Sequence, residues 1–458
     1  MAGTCRRLPN RTKISDALIG NLFLGKRVGL ESIIDFLFFC LAVIVLCNIN
    51  GIITAFAGIE APISPLMLLL SIVLLAFIPI RQSYLKGHFM YFLIFFASFL
   101  FFGLIGGAFN TVANFGLSDI IFEVRMVVTA LIISGVFYFY TLYKAEKGKI
   151  HKAIGLVCFL YIITTMGTVL EAQLGLQQVN RFVGERNMGF FGNPNQTGFQ
   201  ANITCVLILY LFLSHKLNAW LALPLFGLGM YAAFLSFSKM AILNSGLILF
   251  LFFLYINFFL LKFERRTQIK SLVLMLTVVG TVVFIIIPAA QTTYNNMSSA
   301  QQKRIEQLAL LVTRQEFNTE TTSHRSDLFA DAIERIEASP LVGYGLHTFS
   351  EGGLFASSIT HGAHNNYFKI IGESGFIPLL LYLLFVGRIF IQMTKKKYIP
   401  HNFMVGAVFV IISTSSITTH SMFTYKFVIA LMGVLMAIPR VYRLQQTKQS
   451  HQTIIQPN

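Results

Sequence analysis

Charge is what this chain has least of. Only 12% of its 458 residues are Asp, Glu, Lys or Arg, 55% are hydrophobic, and the mean hydropathy is +0.70. No water-soluble globule of this size carries such a surface, so the composition excludes a soluble fold and reads as an all-α polytopic membrane protein. Paired cysteines are missing too. Cys5, Cys40, Cys47, Cys158 and Cys205 are scattered, mostly in apolar runs, with no CxxC and no disulfide framework, which leaves them as packing residues. No cleavable signal is expected either. Arg6, Arg7, Arg11 and Lys13 lead into no short apolar region with a small-residue cleavage site, so this basic segment is expected to stay in the cytosol. No internal repeat and no separate soluble domain is visible.

What is present is a succession of apolar runs near the roughly 20 residues that span a bilayer. They fall near 32–56, 63–80, 89–109, 120–142, 153–172, 198–214, 219–237, 239–261, 271–290, 367–393, 402–419 and 421–443, about twelve in all. The net charge of +16 raises the possibility of a nucleic-acid partner, and the distribution of the charge argues against it. Alternate gaps hold Lys26/Arg27, Arg81/Lys86, Lys144/Lys147/Lys149/Lys152, Lys216, Lys262/Arg265/Arg266/Lys270, Lys395/Lys396/Lys397 and Arg440/Arg443/Lys448. The other gaps are short and acidic or neutral around Glu60 and Asp119, or longer at 173–197 and about 291–366. Lys and Arg gather on the cytoplasmic side of membrane helices, so both termini are expected in the cytosol and the long loop outside. The expected organisation is a basic cytoplasmic segment (1–31), about nine membrane helices (32–290), a large external loop (291–366), about three more helices (367–443) and a polar cytoplasmic tail (444–458).

The external loop carries most of the hydrophilic sequence that is not a tail. Gln301 to Phe317 spaces Ile305, Leu308 and Val312 between charges, which predicts an amphipathic helix. Leu328, Phe329, Ala332, Ile333 and Ile336 predict a second apolar helical face, with Ser323 as cap, Arg325 in the first turn and Pro340 closing it. Gly343-Tyr344-Gly345 predicts a tight turn, and the chain returns to the bilayer through His361, His364, Asn365 and Asn366. Val342-Gly343-Tyr344-Gly345 matches most of a potassium-channel filter, but Leu341 replaces the hydroxyl ligand and the preceding helix is charged, which favours the turn.

His364 stands just before a membrane helix, where an aqueous acceptor meets a lipid head group. Imidazole titrates near about 6.5, so a neutral histidine there can take a proton from a sugar hydroxyl; the plainer reading is an interfacial side chain bonded to backbone. His364-Asn365, nine residues, then Gly375 resembles the His-Asn/Ser/Gln, nine residues, Gly pattern of bacterial O-antigen ligases. Arg325, Ser339-Pro340, Gly343-Tyr344-Gly345 and Gly372-Glu373-Ser374-Gly375 are similar to the same O-antigen ligase/polymerase superfamily, as is Arg186-Asn187-Met188-Gly189-Phe190-Phe191-Gly192-Asn193-Pro194-Asn195. The resemblance covers roughly residues 180–390. It implies a GT-C-like integral-membrane glycosyltransferase using an undecaprenyl-diphosphate-linked glycan on the outer side of the bacterial cytoplasmic (inner) membrane, in cell-surface polysaccharide assembly. Implied partners are that lipid-linked donor, a glycan or lipid acceptor, membrane lipids and other assembly proteins.

Two departures stand out. Ser238-Lys239 replaces the usual Ser-Arg, losing the bidentate fork that fits phosphate oxygens, and Pro378 stands where ligases carry Thr. The second departure leans the reading toward a polymerase over a ligase that passes glycan to lipid A-core or protein.

Displacing a lipid diphosphate from an anomeric carbon needs a base and a cationic cradle. The resemblance makes His364 and Arg325 the catalytic pair, with Arg186, Arg181, Lys239, Asn195, Asn365 and Arg125 as substrate contacts. Each arginine also reads as a surface salt bridge or interfacial anchor, and Lys239 as a snorkelling side chain. Glu123 and Arg125, two apart in an apolar run, do not share a helix face, and an internal ion pair with another helix is the alternative to a substrate role; Glu171 and Lys426 carry the same ambiguity. Lys369 and Glu373, four apart, are expected to pair and orient His364. No cofactor and no metal is expected: there is no DxD pair, and His361/His364 lack an acidic or cysteine partner. A polysaccharide transporter or flippase is the non-enzyme alternative, for which polar residues near the midplane and repeated halves would be expected.

Overall fold

In lipid every backbone N–H and C=O must be satisfied within its own segment or sheet, and apolar runs of this length meet that demand as helices. The structure, a computed structural model, describes residues 29–57, 63–85, 87–109, 117–174, 182–183, 186–256, 294–295, 299–313, 325–350, 364–393, 400–419 and 421–455. The helices begin with α1 (Leu30–Leu46), α2 (Ile49–Ala57), α3 (Ile63–Phe77), the short α4 (Gln82–Leu85), α5 (His88–Phe109), α6 (Leu117–Glu146) and α7 (Ile150–Leu174). A small antiparallel ribbon follows, β1 (Phe182–Val183) with β2 (Arg186–Asn187), pairing Val183 with Arg186. Then come α8 (Pro194–Leu213), α9 (Ala219–Leu235) and α10 (Lys239–Tyr255), and, in the hydrophilic region, α11 (Ser299–Thr313) and α12 (Arg325–Ala338). The last elements are α13 (Asn366–Ser374), α14 (Phe376–Met393), α15 (His401–Ser416), a 3-10 turn at Met422–Thr424 and α16 (Lys426–Ile455).

The chain is an all-α polytopic membrane protein. Among the described residues, His88–Phe109, Ile120–Glu146, Ile150–Leu174 and Pro194–Leu213 are long and apolar enough to cross a bilayer, and Ile63–Phe77, Ala219–Leu235, Lys239–Tyr255, Phe376–Gln392 and His401–Ser416 are shorter apolar helices. The run at 271–290 lies outside the described residues.

Two runs read as single spans are broken. The 32–56 run bends at Asn48, which sits at φ 48° and donates its amide to the carbonyl of Phe190. Asparagine tolerates this left-handed conformation better than its apolar neighbours do. The 367–393 run breaks at Gly375, φ 82°, between α13 and α14. A methyl group there would lie 2.0 Å from the Leu341 carbonyl oxygen, so only glycine fits. Across this break Tyr344 N donates to Gly372 O at 2.7 Å, Gly345 N to Glu373 O at 3.0 Å and Phe376 N to Pro340 O at 2.9 Å. The Gly-Tyr-Gly turn therefore docks backbone to backbone against the Gly-Glu-Ser-Gly break, which joins the loop to the membrane domain.

The core is aromatic. Phe95, Phe96, Tyr382 and Phe423 meet with ring centroids 4.8 to 5.8 Å apart, and Phe38 stacks on Tyr140 at 3.6 Å. α8 is the most interior of the four long spans, and its polar side chains are satisfied by neighbours: Asn202 donates to Ala241 O at 2.8 Å, and Gln200 and Thr204 engage Thr165 and Tyr161 O.

Candidate functional site

The upstream motif folds by turn chemistry. Asn187 accepts from Gly189 N at 2.7 Å, Gly189 and Gly192 sit at φ 50° and 67°, and Asn193 caps α8 by accepting from Asn195 N at 2.8 Å, with Pro194 at the first helical position. Thr197 donates to Met188 O and closes the loop on the helix. The glycines, Asn187, Asn193 and Pro194 thus have structural work. Arg186 is carried on β2 and Asn195 on the first turn of α8. Arg181 lies outside the described residues.

The neighbouring Ser-Lys motif is a helix start. Ser238 caps α10 by accepting from Ala241 N at 3.4 Å, and Lys239 is its first residue, half-buried. A small cavity of about 20 Å³ brings Asn195 and Ser238 together with Asn244, Ser415, Thr419 and Tyr425, beside Phe199, Met240 and Met422. The two motifs therefore meet at one small cavity, with room for about one water molecule.

Beyond the membrane domain, α12 lies on α13. Phe329 meets Phe368 edge to face at 5.3 Å, and Ala332 and Ile336 pack with Phe349, Tyr344 and Phe368. Ile333, expected on the buried face, is instead exposed, because the contact stripe is the narrower Phe329–Ala332–Ile336 line. Ser323 lies outside the described residues; Arg325 is the first residue of the helix, as its place before the apolar stripe implied. Arg325 stands four residues, about one helical turn, upstream of Phe329, and His364 stands four residues upstream of Phe368 in the bend that leads into α13. His364 is half-buried, at φ 45°, immediately before Asn365, whose carboxamide oxygen accepts from Tyr367 N at 2.9 Å and Phe368 N at 3.2 Å. Asn365 is therefore the cap that fixes where α13 begins and, with it, where His364 sits.

Behind this helix lies a buried ionic cluster. Glu123 on α6 is fully buried and accepts from Lys369 Nζ at 2.8 Å, from His347 Nδ1 at 3.2 Å and from Ser350 Oγ at 3.3 Å. Glu373, equally buried, accepts from Phe349 N at 3.2 Å and lies 3.1 Å from Ser350 Oγ. Lys369 and Glu373 are 4.0 Å apart, so the expected pair forms, yet the shorter bond of Lys369 goes to Glu123. The residues this pair holds in place are His347, Phe349 and Ser350. The hydrogen bond to Glu123 pulls the His347 imidazole above its ordinary value, with burial opposing.

Glu123 and Arg125 point in opposite directions, the first buried and the second exposed, as their spacing required. Arg125 and Lys426 line a cavity of about 320 Å³ between α3, α6 and the start of α16. Glu171 is buried in α7. His347 and Ser350 carried no motif or spacing that pointed to them; the available signal was Glu123, an intramembrane carboxylate in need of a partner. Among the described residues no three His, Cys, Asp or Glu side chains gather as a metal site requires.

The O-antigen ligase family model matches residues 203–383, which include α12, the Gly-Tyr-Gly turn, His364 and the α13–α14 break. No curated protein matches the chain.

Proposed function

The match over residues 203–383 supports relationship to the O-antigen ligase/polymerase superfamily, and from it we propose that the protein transfers a glycan from an undecaprenyl-diphosphate donor to an acceptor hydroxyl on the outer face of the cytoplasmic membrane. The observation that carries this reading is the place of His364 in the bend just before α13, a helix that packs against the one begun by Arg325.

His364 takes the proton of the acceptor hydroxyl as its oxygen attacks the anomeric carbon, and the bond from that carbon to the diphosphate oxygen breaks. Arg325 and Arg186 stabilise the negative charge on the departing lipid diphosphate, with Lys239 and Arg181 as further cations and Asn195 and Asn365 placing the sugar or the elements around it. GT-C-like architecture, the external position of residues 291–366 and cytoplasmic termini complete the proposal.

Of the two activities in the superfamily we favour the polymerase, on Pro378 in the place of the ligase threonine. The ligase reading draws on the description of the matching family. Disrupting the gene and resolving surface glycan on gels separates them. Loss of the long ladder with one unit still attached is the expected result; loss of all attached glycan makes the protein a ligase, and an unchanged ladder contradicts both.

A further inference from the structure

The ionic cluster around Glu123 is more than stability requires. Taking charges out of water is expensive, and well-packed apolar side chains of similar volume often serve stability as well or better. The cluster is also incompletely satisfied: among the described residues neither Glu123 Oε2 nor Glu373 Oε2, both buried, has a hydrogen-bond partner. Lys369 Nζ lies 4.0 Å from Glu373 Oε2, too far for a hydrogen bond. Buried polar atoms retained in this state call for another use.

What the cluster has is reach across elements. Glu123 stands in the second turn of α6, and its donors come from two other parts of the chain: Lys369 Nζ from α13, and His347 Nδ1 and Ser350 Oγ from the turn after Gly345. Lys369 N donates to Asn365 O at 2.9 Å, in the same turn that the Asn365 side chain caps, so the pull of Glu123 acts five positions after His364. Phe368, next in the chain, is the residue that meets Phe329 of α12. Phe349, whose N–H donates to Glu373 Oε1, packs with Ala332 of the same helix. The helix begun by Arg325 and the helix that follows His364 are thus both set against one pair of buried carboxylates. α13 has nine residues, and its other side-chain anchors include Ser374 Oγ to Phe99 O at 2.8 Å and Tyr367 Oη to Ser413 O at 3.0 Å. Those bonds tie α13 to α5 and α15; Glu123 ties it to α6 and to the 347–350 turn together.

We propose that Glu123 is a positioning residue for glycan transfer: by holding Lys369, His347 and Ser350 at once, it sets α13 in the orientation in which His364 works with Arg325. It touches no substrate and acts through Lys369. This deepens the glycosyltransferase reading and rests on it.

The test combines transfer kinetics with hydrogen exchange on the purified full-length protein in proteoliposomes, using the undecaprenyl-diphosphate-linked glycan extracted from the producing cells as donor. Glu123→Gln should lower kcat about tenfold or more with the donor KM unchanged, because a small misplacement of a catalytic group costs rate and not ground-state binding. Amide exchange over residues 364–370 should quicken about tenfold in the same variant while α8 exchanges as in the wild type. Glu146→Gln, which removes the ion pair with Arg81 at the other end of α6, should change neither. Glu123→Leu with Lys369→Met separates positioning from stability: its unfolding midpoint should recover relative to Lys369→Met alone while kcat stays low. Transfer that recovers with the midpoint overturns the proposal, as does a Glu123→Gln effect confined to KM. Should these variants fail to fold, Glu123→Asp decides, since it keeps the charge one methylene further from Lys369: a lower kcat at unchanged KM is expected, and wild-type kcat overturns it. A wild type that transfers nothing would sink the glycosyltransferase reading, and exchange would still decide this inference, quickened exchange at 364–370 supporting it and unchanged exchange overturning it. Wild-type kcat in folded Glu123→Gln would sink this inference alone.

Discussion

Lys369 holds two buried carboxylates at once, Glu123 at 2.8 Å and Glu373 at 4.0 Å, so its removal takes the lysine from both and leaves Glu123, among the described residues, with His347 alone as a basic partner. Lys369→Ala should destabilise the protein by about 3–5 kcal/mol, read as a lower unfolding midpoint in detergent, and Glu123→Gln in the same chain should restore part of the loss. A second expectation concerns pH. Glu123 on α6 and Glu373 on α13 raise the His347 value, and Lys369 opposes them. A histidine raised in the folded state contributes its stabilisation fully below about pH 6.5, the unfolded value, and loses it as pH climbs through the raised one. The wild-type midpoint should therefore fall as pH rises through that window, and His347→Asn should flatten the profile; an equal slope in both would remove His347 from the cluster. Glu123 was visible in the sequence as a suspect charge, and Lys369 as the expected partner of Glu373. Their mutual bond was not, because it joins residues 246 positions apart and no local spacing encodes it.

At the scale of elements, the loop is fastened by glycine geometry. Gly343 and Gly375 have φ 68° and 82°, and a methyl group at either would meet backbone atoms, Glu373 C at 2.6 Å and Leu341 O at 2.0 Å. Gly148, φ 71°, has nothing within 4 Å. Gly148→Ala should cost only the left-handed strain of about 1–2 kcal/mol, whereas Gly375→Ala should cost clearly more and loosen the loop, measurable as faster proteolysis between α12 and α13. Similar losses in both would contradict the close docking. The turn at 343–345 and the end of α12 before Pro340 were legible, since glycine and proline act locally. The breaks at Asn48 and Gly375 were not, because both lie inside unbroken apolar stretches and are imposed by a distant chain: the Phe190 carbonyl in one case and Leu341 in the other.

Across the whole molecule, composition alone specified helices in a membrane, and the alternation of basic gaps proposed which ends face the cytosol. The lysines expected there do gather: Lys144, Lys147 and Lys149, at the far end of α6 from Arg125, all contact Glu31 at 2.8 to 2.9 Å. About 31 Å of α6, from Glu123 to Lys144, separates that cluster from the Glu123–Lys369 bond. The motifs that resembled a glycosyltransferase family lie on several elements, and the chain brings them together through contacts no motif announces: Asn195 with Ser238 in one small cavity, and the Arg325 and His364 helices through Phe329 and Phe368. Glycan transfer from a purified lipid-linked donor by the protein in proteoliposomes tests the central claim most directly. The wild type should transfer, and His364→Ala and Arg325→Ala should abolish transfer while eluting as folded, monodisperse protein; full activity in both variants, or movement of the donor across the bilayer with no transfer at all, would contradict the account.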